Sequence, residues 1–308
     1  MTAPRITFAI PFHRGLRWLR EAIESVCAQQ VGDWRAVVLD DRGEDAESVA
    51  ELVAGFGDPR VECLANAATL GMVGNFNRAL ETAATELVTL LHADDRLLPD
   101  YAGLMLELAD AHPGAVAFCC DSVIIDGDGR LRFSLPDAVK RWLLPAGDPW
   151  SLTGERGLHA LLRGDFVMCP TLCWRRPVLG ARRFDARWRQ VQDLDLLARL
   201  LLDGESIVGS RRRAYAYRRH AGSATALQSE SLLRFDEEFA LYAQLADEAR
   251  ARGWAPAARV AERAAIVRLH LGVRAAADLA ALRPGAALRK LGYLLRAAPG
   301  SGETAGSR

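Results

Sequence analysis

Short apolar runs alternate with helix-period segments through the first 120 residues, and two of the runs close on a pair of aspartates. No other feature constrains the fold as strongly. Residues 6–10 form an apolar run stopped by Pro11, and residues 16–29 repeat apolar side chains at Leu16, Leu19, Ile23 and Val26, a helical period. Residues 36–39 form a second run ending in Asp40-Asp41; a helical stretch over 46–56 and a run over 61–64 follow. The spacing then predicts a helix over 74–84, a strand over 87–91 ending in His92-Ala93-Asp94-Asp95, a helix over 99–111 and a strand over 116–120. Strands and helices alternating at this interval imply a parallel sheet with helices on both faces. Ligands of such sheets bind at the carboxyl ends of the strands, where both Asp-Asp pairs fall.

Beyond residue 121 the pattern loosens. Residues 123–131 read as a hairpin around Asp126-Gly127-Asp128-Gly129. Residues 135–149 read as irregular, 154–162 as a short helix, 171–174 as a strand and 193–202 as an amphipathic helix. Residues 207–208 and 214–217 read as two further strands. From 227 to about 298 the chain is rich in Ala, Leu and Arg at helical spacing, and 300–308 is small and polar, expected to be disordered. The expected division is a catalytic domain over 1–225, a helical extension over 226–299 and a tail over 300–308.

Composition narrows the function. Lys plus Arg and Asp plus Glu each number 39 in 308 residues, so the chain is formally neutral, which argues against a dedicated nucleic-acid binder. No run reaches the roughly 18–20 apolar residues of a membrane span. The six cysteines are scattered in apolar contexts and nothing at the N-terminus reads as a signal peptide, so the expectation is reduced thiols and a cytoplasmic protein. Cys169-Pro170-Thr171-Leu172-Cys173 lacks zinc-knuckle spacing and is expected to pack in the core. Neither a GxGxxG after the first strand nor a GxxxxGK[ST] is present, which disfavours dinucleotide oxidoreductases and P-loop NTPases.

Grouped carboxylates are unfavourable unless a cation neutralises them, so Asp94 and Asp95 suit Mg²⁺ or Mn²⁺; the alternative is a solvated, helix-capping turn, which applies equally to Asp40 and Asp41. A general base needs one carboxylate facing a cleft, and Asp193 is the candidate, with Asp195 an ordinary solvated first-turn residue. Arg211, Arg212, Arg213, Arg218 and Arg219, taken alone, read as surface charges.

Together, six ordered segments resemble the inverting family-2 glycosyltransferases. They are Ile10-Pro11-Phe12-His13; Val38-Leu39-Asp40-Asp41-Arg42-Gly43; Asn66, Gly71 and Asn77; Leu91-His92-Ala93-Asp94-Asp95; Gln192-Asp193; and Tyr217-Arg218-Arg219-His220-Ala221-Gly222-Ser223. The resemblance spans about residues 5–225 and implies the GT-A fold, a mostly parallel central sheet flanked by helices. It implies that Pro11, Phe12, His13, Asp40, Asp41, Asn77, His92 and Ala93 line the nucleotide pocket. It further implies that Asp94 and His220 hold Mg²⁺ or Mn²⁺, that Asp95 and Arg218 contact the sugar or diphosphate, and that Asp193 is the catalytic base. The donor would be a UDP-, GDP- or dTDP-sugar and the acceptor a saccharide or lipid-linked hydroxyl, in cell-surface polysaccharide or glycolipid synthesis.

Three positions depart from the family pattern. His92 replaces the first Asp of DxD, which predicts an altered metal preference. Gln192 replaces Glu, and His13 replaces Asn. A nucleotidyltransferase is the competing enzyme reading, but it calls for a Gly-rich, basic loop after the first strand, which Pro11-Phe12-His13-Arg14-Gly15 matches poorly. A non-catalytic nucleotide-sugar-binding partner protein is the other alternative, motivated by His92 and Gln192. In the variable middle, Trp142, Trp150 and Phe166 are candidates either to stack on an acceptor sugar or to pack in the core. Near the C-terminus, Leu282, Leu288, Leu291, Leu294 and Leu295 interleave with Arg283, Arg289, Lys290 and Arg296. That stripe reads either as a packed helix with a solvated basic face or as a peripheral contact with an anionic membrane at the inner face of the plasma membrane.

Overall fold

The computed structural model describes residues 3–43, 46–220 and 232–296. The described strands are β1 (Ile6–Phe12), β2 (Trp34–Asp40), β3 (Val61–Ala65), β4 (Leu87–Leu90), β5 (Arg96–Leu97), β6 (Ala115–Ile125), β7 (Trp150–Thr153), β8 (Cys173–Arg175) and β9 (Ser206–Arg218). The helices are α1 (Leu16–Cys27), α2 (Ala46–Ala54), α3 (Gly71–Thr82), α4 (Tyr101–Ala111), α5 (Leu135–Trp142), α6 (Gly154–Gly164), α7 (Arg176–Leu179) and α8 (Gln192–Leu202). After residue 232 come α9 (Leu233–Ala251), α10 (Ala255–Arg263), α11 (Ala265–Ala280) and α12 (Pro284–Arg296).

One mixed sheet runs in the order β3-β2-β1-β4-β8-β6-β9-β5, with β7 also on β9. β1 pairs in parallel with β2 and β4, β2 with β3, and β6 with β9, whereas β8, β5 and β7 are antiparallel to their neighbours. The sheet is therefore parallel over β1 to β4, as the βα alternation predicts, and mixed beyond, where β6 is antiparallel to β8 and parallel to β9. A core cluster on each face covers it. One buries Leu19, Ile23, Val26, Val49 and Leu104 from α1, α2 and α4. The other buries Phe76, Leu158, Leu197 and Leu201 from α3, α6 and α8. Phe235, Leu241, Tyr242 and Leu245 of α9 enter that second cluster, and the Tyr242 hydroxyl donates to Leu162 O at 2.8 Å. The C-terminal helices thus begin by continuing the core rather than by leaving it.

Several local expectations need correction. Pro11 does not stop β1, because β4 pairs only as far as Ala9 and the remaining ladder is with β2, so its missing N–H forfeits nothing on the β4 side. Residues 123–131 make the expected hairpin return, though a short one: Asp126 Oδ1 accepts from the N–H groups of Asp128 and Arg130, both at 2.9 Å, Asp126 N donates to Arg130 O at 2.9 Å and Arg132 N to Ile124 O at 2.8 Å, and Ile125 and Leu131 form an antiparallel bridge. The expected strand at 171–174 starts at Cys173, after a 3₁₀ turn at Cys169–Thr171 that places Pro170 in its first positions. Residues 135–142 are helical rather than irregular, with Asp137 in the first turn and Lys140 and Arg141 in the last, matching the helix dipole. The two short strands expected near 207 and 215 are one strand, β9, and Arg211, Arg212 and Arg213 lie on its exposed middle, where its register with β6 shifts. Ala221-Gly222-Ser223, the start of the helical region at 227, the 225/226 boundary and the 300–308 tail lie outside the described residues.

β7 and β9 approach so closely that the Trp150 indole lies where a side chain on Gly209 would stand. Gly209→Ala is expected to force the ring or the strand aside and lower stability by about 1–3 kcal/mol. Thermal or urea unfolding measures this, and an unchanged midpoint would show that the strands are not in close contact.

Candidate functional site

The site forms where β1, β2 and β4 end. β2 delivers Asp40 and Asp41, both buried. Asp40 Oδ1 accepts from the Arg42 N–H at 3.1 Å. Asp41 faces the other way and accepts from Asn66 Nδ2 at 2.8 Å, Leu70 N at 2.7 Å and Gly71 N at 2.9 Å. Gly71 has φ +72°, a conformation glycine enters without a Cβ clash, and this directs its N–H at the carboxylate. Asn66 also donates to Asn75 Oδ1 at 3.0 Å, and Asn75 Nδ2 donates to Leu39 O at 3.0 Å. Asp41 is therefore the brace of the loop before α3. A cavity of about 360 Å³ opens beside this brace, lined by Pro11, Phe12, His13, Asp41, Gly71 and Phe76 among others. The Phe12 side chain belongs to the core, whereas His13 is exposed.

β4 delivers the second group. The His92 ring stacks on Phe76 with centroids 5.5 Å apart, so the cavity and the end of β4 share a wall. Ala93 is half-buried in the turn that follows. His92, Asp94 and Asp95 each offer a ligand atom, all within 4.8 Å of one another. His220 Nε2 lies 3.0 Å from Asp94 Oδ2, and its ring packs on Trp18 at 4.2 Å. Asp95 is fully buried, accepting from Arg218 N at 2.7 Å and from the Tyr215 hydroxyl at 3.0 Å. Burial, together with the charge of Asp94, pushes the Asp95 carboxyl well above the usual carboxylate range.

A divalent cation fits this donor set. Among the described residues His92 Nε2 is buried without a hydrogen-bond partner, and Nδ1 lies 3.8 Å from Asp95 Oδ2. Burial also lowers the His92 pKa, which favours the neutral, ligand-competent imidazole. Mixed imidazole and carboxylate donors suit a transition metal such as Mn²⁺ better than the all-oxygen preference of Mg²⁺.

α8 carries the remaining candidate, whose charged neighbours are Asp165 and Lys140 rather than the groups at β2 and β4. Asp193, in its first turn, is half-buried, and its pKa is pushed up to about 6 by burial and then by the charge of Asp165. Asp165 follows α6 at φ 41°, with Lys140 Nζ 3.6 Å from its carboxylate. The Cys169 thiol adjoins Asp193 and is raised by burial and by that carboxylate.

Expectations for four residues change on this geometry. Asp195 is not solvated: it is fully buried, with Arg199 Nε at 2.9 Å, because α8 packs on both flanks. Arg218 is not a surface charge. Its guanidinium is buried, donating to Asp94 O, to Asp126 O and Gly127 O at 3.2 and 3.1 Å, and to Glu21. Arg219 is likewise engaged, in a bidentate pair with Asp137 at 2.9 and 3.1 Å. Asn77 exchanges both ends of its amide with the backbone of Phe184 at 2.9 Å, so it clamps α3 to the 184 loop instead of facing the cavity. Trp150 and Phe166 pack edge to face in the core, and only Trp142 of the three aromatic candidates is exposed. Sequence reasoning passed over Tyr215, Trp18, Phe76 and Asp165. The Asp after Gly164 at a helix end was the one visible signal among them.

The family model described as glycosyl transferase family 2 matches residues 7–180. The succinoglycan biosynthesis protein ExoO of Rhizobium meliloti (strain 1021) is 29% identical over 260 residues, covering 82% of this chain and 69% of its own length. The crystal structure of S. aureus TarS 1–349 in complex with UDP-GlcNAc matches with a TM-score of 0.64 at 14% identity, covering 96% of this chain and 82% of that one. The mannosyltransferase PcManGT from Pyrobaculum calidifontis, in complex with GDP-Man and Mn²⁺, matches with a TM-score of 0.59 at 15% identity, covering 96% and 86%. At these identities the two structural matches speak to the fold.

Replacing Arg218 with Met would leave Asp94 O, two turn carbonyls and Glu21 without the guanidinium they share, while the backbone N–H to Asp95 remains. The expected loss is about 3–5 kcal/mol, the range for breaking a buried charge pair from one side. Urea denaturation measures it, and a loss no larger than that of an exposed Arg211→Met control would refute the clamp.

Proposed function

The chain belongs to glycosyl transferase family 2 and has the GT-A fold, and on that premise we propose that it moves a sugar from a nucleotide-diphosphate sugar to an acceptor hydroxyl with inversion, in building a polysaccharide or glycolipid. One observation carries the reading. A nitrogen- and carboxylate-bearing group at the end of β4 adjoins a cavity at the ends of β1 and β2, and Asp193, at the start of α8, has a pKa of about 6. The names of the relatives are consistent with it: one is a succinoglycan biosynthesis protein, and two are seen with UDP-GlcNAc or with GDP-Man and Mn²⁺.

In this reading Asp40 and the walls at Pro11, Phe12 and His13 receive the nucleotide, and Asp41 holds the loop that closes over it. His92, Asp94 and His220 would hold the divalent cation. When bound, that ion offsets the charge gathering on the leaving diphosphate. Asp95 and Arg218 act from beneath, fixing the turn that presents Asp94. The Asp193 carboxylate accepts the proton of the acceptor hydroxyl as its oxygen bonds to the anomeric carbon. The bond to the diphosphate oxygen breaks on the opposite face, so the configuration inverts. A pKa near 6 makes Asp193 a stronger base than an exposed aspartate while leaving it ionised at neutral pH.

Two outcomes are expected. Asp193→Asn lowers turnover by about 10²–10⁴-fold while donor binding is retained, and full transfer by this variant would remove the base assignment. In the unsubstituted protein kcat/KM falls as pH drops through about 6, because Asp193 gains the proton it must lack. A flat profile from pH 5 to 8 would contradict that assignment. Proton NMR of the first-formed product reads the anomeric configuration.

A further inference from the structure

Helices α11 and α12 carry an outward face unlike the rest of the surface. Along α11 the exposed positions are Ala265, Leu269, Val273, Ala276, Ala277, Leu279 and Ala280, with no polar side chain among them. Leu282, in the turn to α12, is 89% exposed, and Leu288 and Leu295 of α12 are 67% and 77% exposed. Leu288, Leu291 and Leu295 recur at three- and four-residue intervals, on one side of α12.

Both helices lie on α9 by their other faces. His270 packs on Phe235 at 5.2 Å, the Arg268 guanidinium lies 5.3 Å over Phe239, and Tyr293 packs on Phe239 at 6.0 Å. The leucine faces therefore both look away from α9. Lys290 ties the pair together through Asp278. Exposed apolar side chains grouped in this way mark an interaction surface.

Charge identifies what covers it. Beside the leucines of this face stand the exposed Arg283 and Arg289 and the half-buried Arg274, and residues 255–296 hold only two acidic side chains against eight basic ones. Both acids are already bound, Glu262 to Arg250 and Asp278 to Lys290. A second copy of the same face would bring like charge against like charge. The chain segments outside the described residues near this region, 221–231 and 297–308, contain one large apolar residue, Leu227, and do not match a leucine face. An apolar helix face fringed by arginine matches a lipid surface with anionic headgroups.

We propose that the α11–α12 face docks on an anionic membrane as a peripheral, non-spanning contact. No helix among the described residues is long and apolar enough to cross a membrane, so the contact lies in the interface. The docking face is on the Asp193 side of the sheet. α11 packs on α6, which leads into Asp165, and Lys140 is within electrostatic reach of His270 while also contacting Asp165. A membrane-bound protein would thus hold the Asp193 side toward lipid-anchored hydroxyls. The docking itself stands without the sugar-transfer reading.

Flotation of the full chain with vesicles tests it, using phosphatidylcholine alone or mixed with phosphatidylglycerol. The expected result is co-flotation with the mixed vesicles, reduced by salt. The double substitution Leu269→Asp with Leu288→Asp should abolish it. Arg283→Glu with Arg289→Glu should weaken it by about tenfold or more. All four positions are exposed, so unchanged circular dichroism and melting confirm that the variants fold. Absence of flotation by the unsubstituted chain, or flotation unaffected by the leucine substitutions, overturns the proposal. So does a dimer in solution that those substitutions dissolve, with no vesicle binding. Nucleotide binding measured without vesicles reports separately on the sugar-transfer reading, so either can fail alone.

Discussion

Arg218 is a full positive charge with no access to water, and the geometry of the site depends on how it is compensated. Its backbone N–H holds Asp95, and its guanidinium reaches Asp94 O, the 126–127 turn and Glu21 of α1. One side chain therefore joins the end of β9, the turn after β4, the turn after β6 and a helix from the opposite end of the sequence. Burying an unpaired guanidinium would be prohibitive, so its four acceptors are fixed together or not at all. Asp94 is left on the outer side of that knot, where His220 meets it.

The knot has a counterpart at the neighbouring strand. Asp41 gathers two backbone N–H groups and an asparagine, and through Asn66 and Asn75 it reaches back to Leu39. Each Asp-Asp pair thus divides its labour in the same way. Asp41 and Asp95 have their oxygens occupied by the protein and set the loop. Asp94 is the partly exposed member of its pair, and Asp40, though buried, makes only a local contact with Arg42. Polar groups held this way need no reorganisation when a charged ligand arrives, which is what transition-state stabilisation by fixed dipoles and ions requires.

Much of this was legible in the sequence because strand periodicity placed both aspartate pairs at carboxyl ends before any side chain was located. Which member of a pair faces inward was not legible, since it depends on the turn that follows each strand. Arg218 and Arg219 are adjacent and chemically identical. Only the last register of β9 against β6 decides that the first enters the core and the second reaches Asp137. Asp195 was misjudged for a related reason: a first-turn acid is solvated on a surface helix, but α8 is covered on both flanks, and the Arg199 four residues on was the available clue. Asn77 matched a motif by position, yet its amide serves the loop at Phe184. The wholly apolar outer side of α11 was hidden because arginines interleave with leucines along the chain and only the helix separates them by face.

The central claim is that the group at the end of β4 and the adjoining cavity together hold a nucleoside diphosphate through a divalent cation. Calorimetric titration of uridine, guanosine and thymidine diphosphates, with and without Mn²⁺, tests it most directly. Saturable binding of at least one of them at a single site is expected, dependent on Mn²⁺ and lost in Asp94→Ala at unchanged fold. Binding indifferent to both the metal and Asp94, or no binding of any of the three, would contradict it.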